Sequence, residues 1–275
     1  MMERAKRWLR AGPRKHLYFE SEKVKAAIIT TGGLCPGTNV IIRELTMSLH
    51  FNYKVKQILG VKFGFKGLTE GDWIELTPAF AKSIHHQGGS VLGGGRKDCD
   101  IEKIVATLKK EGINQLYIIG GNGSLKAVES LYKKIRDLKL PISLCSIPRS
   151  LANDVPIIDK SFGFDTGIDV ADNFIRSAYF EAKSHENCVS IVKLLGLKAG
   201  FFALESVMAS RDADICLIPE IDFELYGQLG VLESIHQILK NKKYCIIVVA
   251  EGVKLNEKDT ELYQENVKES CSKVN

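Results

Sequence analysis

From Val24 onward the apolar residues fall into two alternating patterns, short continuous runs and longer stretches in which they recur every three or four positions. The first pattern fits strands buried on both faces, the second amphipathic helices, and glycine-rich turns mark the changeovers. Strands are predicted over 25–30, 54–61, 115–119 and 142–147, with helices over 38–49, 101–111 and 124–139. A second block repeats the beat, with helices over 165–181, 200–210 and 230–240 and strands over 189–194, 215–218 and 244–250. Such alternation predicts an α/β protein with doubly wound parallel sheets. Two blocks predict two Rossmann-like three-layer αβα lobes, the second smaller, with a ligand in the crevice. The organisation expected is a basic arm (1–22), a first lobe (23–160), a second lobe (161–253) and a polar tail (254–275) without strand signal.

Charge and composition narrow the partners. Lys and Arg number 38 against 33 Asp and Glu, so 38 − 33 leaves a net charge of +5 over 275 residues. The dense basic run is confined to Arg4, Lys6, Arg7, Arg10, Arg14 and Lys15. It reads as an exposed leader arm rather than a transit peptide, and no basic stripe of the kind nucleic acid requires is visible. No apolar run approaches the length of a membrane span. The 7 cysteines stand singly without a Cys-x-x-Cys pair, which points to a reducing, cytoplasmic setting.

Three glycine-rich segments follow predicted strands or precede predicted helices: Gly32-Gly33-Leu34-Cys35-Pro36-Gly37, Gly93-Gly94-Gly95-Arg96 and Gly120-Gly121-Asn122-Gly123-Ser124. Glycine admits close approach of backbone N–H groups to phosphate, and a following helix adds its dipole. None of the three is a Walker A sequence or a Gly-x-Gly-x-x-Gly fingerprint. Together they point to a polyphosphate ligand, whereas any one alone reads as a tight strand–helix turn. A fourth segment runs from Ile147 through Pro148-Arg149-Ser150-Leu151-Ala152-Asn153-Asp154 to Pro156 and on to Phe162-Gly163-Phe164-Asp165-Thr166.

This ordered set resembles the 6-phosphofructokinases, and most closely the plant- and protist-type ATP-dependent branch, from about Arg10 to Val253. The resemblance implies the phosphofructokinase fold, a first lobe binding Mg2+ and ATP, and a second binding fructose 6-phosphate. It implies phosphoryl transfer between them to give fructose 1,6-bisphosphate. By the same resemblance Gly33, Arg96, Gly121, Gly123 and Ser124 bind ATP, and Gly123 stands where pyrophosphate-dependent relatives carry Asp. Ser150 and Asp154 lie near the transferred group, and Gly196 and Glu220 bind the sugar.

Three positions depart from the family pattern. Ala152 replaces the Asp that takes the proton from the sugar's 1-hydroxyl, and loss of a general base costs about 10²–10⁴ in rate. Asn122 replaces the magnesium-binding Asp, keeping an oxygen without its charge. Leu197, in Leu195-Gly196-Leu197, replaces the substrate-gripping Arg of Met-Gly-Arg and supplies no fork of donors. Family members also continue past the equivalent of Val253 with substrate-phosphate contacts, whereas here the composition turns polar. The expectation is a degenerate, C-terminally short member that binds ATP, with catalysis weak or lost and fructose 6-phosphate binding weakened. Partners expected are a homo- or hetero-oligomer with another phosphofructokinase subunit, in which the chain acts as a non-catalytic regulatory copy. The rivals are a slow but genuine kinase using Asp154 or water as base, a wider NAD-kinase-like affiliation, and an unstable remnant.

Simpler readings stand beside these. Asp154 fits a turn cap, Glu220 a solvated loop carboxylate, Lys160 and Asp165 packing, and His85-His86 a satisfied loop pair.

Overall fold

The computed structural model describes residues 12, 15–95, 100–156, 158–256 and 259–260. They form two compact units divided between Arg149 and Ser150, ahead of the boundary expected after residue 160. Most of the basic arm and of the polar tail lies outside the described residues.

The first unit is built around β1 (Lys25–Thr30), whose Ala26 to Ile29 have no exposed surface. Around it lie β2 (Gln57–Val61), β3 (Trp73–Glu75), β4 (Gln115–Gly120) and β5 (Ser143–Pro148), in the order β3-β2-β1-β4-β5. All neighbours run parallel except β2 and β3. The helices are α1 (Thr38–Met47), α2 (Phe65–Glu70), α3 (Pro78–Ala81), α4 (Ile101–Lys110) and α5 (Asn122–Asp137).

Because successive side chains on a strand point to opposite faces, β1 feeds two cores. Ala27 and Ile29 pack with Leu68 of α2, Ile104 and Leu108 of α4 and Val128, Leu131 and Ile135 of α5. Ala26 and Ile28 pack on the other face with Ile41 and Ile42 of α1, Ala81 of α3 and Leu92. The result is a three-layer αβα unit.

The second unit carries α6 (Phe164–Lys183), β6 (Cys188–Leu194), α7 (Phe201–Ser210), β7 (Ile215–Leu217), α8 (Val231–Lys242) and β8 (Tyr244–Ala250). Its sheet is parallel throughout, in the order β6-β8-β7. Ile246, Val248 and Ala250 of β8 meet Ile175 and Ala182 of α6 and Ala203 of α7. No residue of α8 is buried.

The structure adjusts several predicted elements. Helix 38–49 ends at Met47 and passes into a π-turn over Ser48–Asn52, while Lys54 takes φ 57° and delays the next strand to Gln57. The helix expected from Ser124 begins at Asn122, so part of the third glycine segment is helical. The stretch from Phe65 to Ala81, to which the sequence pattern assigns no element, holds α2, β3 and α3. These elements are too short to show a period.

Candidate functional site

In an open parallel sheet, ligands bind beyond the carboxyl ends of the strands. At those ends in the first unit, residues 30–34 at the end of β1 and beyond it, the glycines 93–95 and Arg149 after β5 line a cavity of about 460 Å³. Thr38 and Ser90 complete the lining, which among the described residues contains no carboxylate.

Backbone hydrogen bonds hold these segments together. Gly32, at φ +85°, donates its N–H to the Gly95 carbonyl at 3.1 Å. The Thr31 N–H donates to Ile119 O at 2.8 Å, and the Arg149 N–H donates to Gly120 O at 3.0 Å. The Thr30 hydroxyl donates to the Gly93 carbonyl, and the Thr31 and Ser124 hydroxyls share a hydrogen bond. Gly120 lies beneath that pair, where a Cβ would come within 2.2 Å of both hydroxyl oxygens. The sequence requires glycine there for close packing, not for a left-handed backbone.

Arg149 was not singled out by the sequence pattern. It is only 5% exposed. Its guanidinium donates to Thr31 O at 2.6 Å, Gly33 O at 2.8 Å and Thr38 Oγ1 at 3.3 Å. Burial draws its pKa below the ordinary guanidinium value, and the nearby Cys35 thiol opposes that shift. A charged residue at the end of an apolar strand, beside a predicted phosphate loop, was the available signal.

The other expected nucleotide residues divide. Gly33 lines the cavity. Gly121 is the N-cap of α5, and Asn122, Gly123 and Ser124 form its first turn, outside that lining. Gly123 is exposed, and an added Cβ there meets no atom within 4 Å. Arg96 lies outside the described residues.

The expected acceptor residues lie in the second unit. Ser150 Oγ donates to Asp154 Oδ1 at 2.6 Å, in a turn where Asn153 takes φ 50°. Asn153 braces the turn, with Nδ2 donating to Asp159 O and Oδ1 accepting from the Ser161 N–H, each at 2.8 Å. Ala152 is partly buried in this turn. Gly196, at φ +139°, accepts from the Gly252 N–H at 3.0 Å, and Leu197 is 66% exposed. Glu220 is exposed, and its Oε1 accepts from the N-cap Gly200 N–H of α7 at 2.7 Å. Lys160 Nζ pairs with Asp165 Oδ1 at 2.9 Å on the surface.

A second groove, between α6 and α7, is lined by Asp165, Asp169, Asp172 and Glu205, a charge that repels phosphate. Among the described residues no three His, Cys, Asp or Glu side chains cluster to hold a metal ion. His85 and His86 stack with ring centroids 3.9 Å apart, and His85 Nδ1 is buried without a partner among the described residues. No helix among the described residues is long and apolar enough to cross a membrane.

Comparison with known proteins bears on this geometry. The family sequence profile described as Phosphofructokinase matches residues 25–274. The chain is 44% identical over 263 residues to ATP-dependent 6-phosphofructokinase 1 of Arabidopsis thaliana, covering 96% of this chain and 54% of that protein. It is 40% identical over 245 residues to the ATP-dependent 6-phosphofructokinase of Amycolatopsis methanolica, covering 88% and 53%. The chain thus spans about half the length of these curated relatives. Pyrophosphate-dependent phosphofructokinase from Nitrosospira multiformis superposes with a TM-score of 0.76 at 21% identity, over 86% of this chain and 62% of that one. Phosphofructokinase from Saccharomyces cerevisiae does so at 0.73 and 23%, over 86% and 34%. At these identities the structural likeness concerns the fold alone.

Proposed function

Since the chain belongs to the phosphofructokinase family, we propose that its first unit binds the polyphosphate of ATP and that its ancestral reaction is phosphorylation of fructose 6-phosphate. The observation that carries this reading is the cavity of glycine backbone and one buried guanidinium beyond the sheet, with no carboxylate among its described residues. Backbone N–H groups and a cation favour an anion, while glycine leaves room for the phosphate chain. Open space at Gly123 suits a nucleotide there.

Asn122, in the first turn of α5, would be the residue to hold magnesium brought in with the nucleotide, a lean protein contribution of the kind Mg2+ accepts. When bound, it supplies neutralisation of charge on the phosphate oxygens. In this reading Gly33 and Ser124 shape the donor site, and Ser150 and Asp154 face the acceptor's reacting hydroxyl. Glu220 and Gly196 serve the sugar, with Leu197 offering it no donor.

Catalysis is slow or lost because the proton on the sugar's 1-hydroxyl has no acceptor at Ala152. Asp154 is the carboxylate left in that turn, and its Oδ1 already takes the Ser150 hydroxyl proton as a hydrogen bond. That engagement favours a second reading as well, a non-catalytic copy that assembles with an active phosphofructokinase in the cytoplasm and shifts its populations.

The test is formation of fructose 1,6-bisphosphate by the purified, folded protein with Mg-ATP and fructose 6-phosphate, beside the Ala152→Asp, Asn122→Asp, Leu197→Arg triple variant. Silence from the natural sequence with turnover in the variant supports the impaired-site reading. Turnover by the natural sequence well above background overturns the loss of catalysis. A change in an active relative's rate on mixing supports the regulatory reading.

A further inference from the structure

The first-unit cavity contains a charge without a counter-ion among the described residues. Arg149 is 5% exposed, and no carboxylate pairs with it among the described residues. Its Nε is buried and makes no hydrogen bond to any described residue. Taking a guanidinium out of water without a partner anion is costly. Three oxygens offset part of that cost, those of Thr31, Gly33 and Thr38. All belong to the segment that leads from β1 into α1.

The arrangement of these bonds matters more than their number. In a trans peptide the N–H points away from the carbonyl of the preceding residue, so fixing a carbonyl fixes the next N–H. Holding Thr31 O sets the Gly32 N–H, which donates to Gly95 O and joins the first glycine segment to the second. Holding Gly33 O sets the Leu34 N–H on the side of the peptide opposite the guanidinium. The Arg149 N–H in turn anchors the residue to Gly120, the last residue of β4 and the start of the third glycine segment. One rigid planar fork therefore sets two peptides of the first loop, and the residue's backbone N–H ties it to the third.

We infer that Arg149 is a positioning residue of this cavity, holding the Thr31 carbonyl so that the Gly32 N–H keeps the first glycine segment on the second, and the Gly33 carbonyl so that the Leu34 N–H is preorganised to receive phosphate. This rests on the reading of the cavity as a polyphosphate site. Lysine cannot replace it, because an ammonium lacks the fork that spans two carbonyls. A role of charge alone predicts that lysine suffices.

The experiment measures Mg-ATP and inorganic tripolyphosphate binding by calorimetry for the full chain, Arg149→Lys and Arg149→Met, with unfolding followed without ligand. Hydrogen exchange at the Gly32 amide is recorded for each. Positioning predicts that both variants lose affinity by about tenfold or more, as expected when charge-assisted bonds are removed. It also predicts faster exchange at Gly32 in both variants, with the ligand-free unfolding midpoint of Arg149→Lys close to that of the natural sequence. Natural affinity in Arg149→Lys, or unchanged Gly32 exchange in it, overturns the inference while leaving the phosphate site standing. An Arg149→Lys protein that unfolds at a much lower temperature also overturns it, in favour of a purely structural role. Absence of binding by the natural sequence overturns both readings.

Discussion

At the scale of single residues, the site depends on atoms that glycine does not have. Gly120→Ala places a methyl group within 2.2 Å of the Thr31 and Ser124 hydroxyl oxygens, one on the β1 loop and one on α5. Overpacking of this kind costs about 1–3 kcal/mol, which thermal or urea unfolding reads directly. Mg-ATP affinity is expected to fall with it, since the displaced Thr31 is a partner of Arg149. Gly123→Ala is the control: its Cβ meets open space, and its unfolding midpoint is expected to move by no more than a helix-favouring substitution allows. Equal destabilisation of the two variants would sink the packing argument. The glycines of this cavity were legible in the sequence because runs of them beside strands and helices mark where backbone must approach an anion or another backbone closely. Arg149 was not, because an arginine in sequence carries no mark of burial, and its function depends on carbonyls more than a hundred positions upstream, as its separation of 118 from Thr31 shows.

Among the elements, β4 and α7 make separate predictions. Tyr117 on β4 donates its hydroxyl to Gln115 Oε1 at 3.0 Å, and burial pushes its pKa up to about 12. In the unfolded chain the phenol titrates near its ordinary value of about 10. The folded state thus binds the proton more tightly, so this contribution to stability is complete below about pH 10 and is lost as pH rises through 12. Unfolding midpoints measured across that window should fall more steeply for the natural chain than for Tyr117→Phe. On α7, Glu220 caps the first turn through Gly200, so Glu220→Ala is expected to cost about 1 kcal/mol in unfolding without any sugar present. An unchanged midpoint would return Glu220 to the role of a solvated carboxylate. The long strands and helices were readable because burial on one or both faces imposes a period. The region from Phe65 to Ala81 was not, because its three elements are too short for one. Its only strand, β3, is a three-residue antiparallel edge.

Across the whole molecule, the two units differ in the sign of the charge that lines their openings. The first offers a buried guanidinium and glycine backbone, and the second offers a groove of four carboxylates. An anionic nucleotide therefore has one hospitable unit, and linkage turns that difference into a map. Ligand at about one hundred times its Kd stabilises the state that binds it by about 2.7 kcal/mol. Hydrogen exchange with Mg-ATP should show this as added protection in 30–38, 93–95 and 120–124, with the amides of β6, β7 and β8 unchanged. Adding fructose 6-phosphate tests the second unit by itself. With Leu197 where a donor fork is expected and Glu220 engaged by Gly200, no new protection is predicted around 195–197 or 218–220. Strong protection there would mean that sugar binding survives without the arginine. The impairment proposed above would then rest on Ala152 and Asn122 alone, and Ala152→Asp with Asn122→Asp would suffice for turnover.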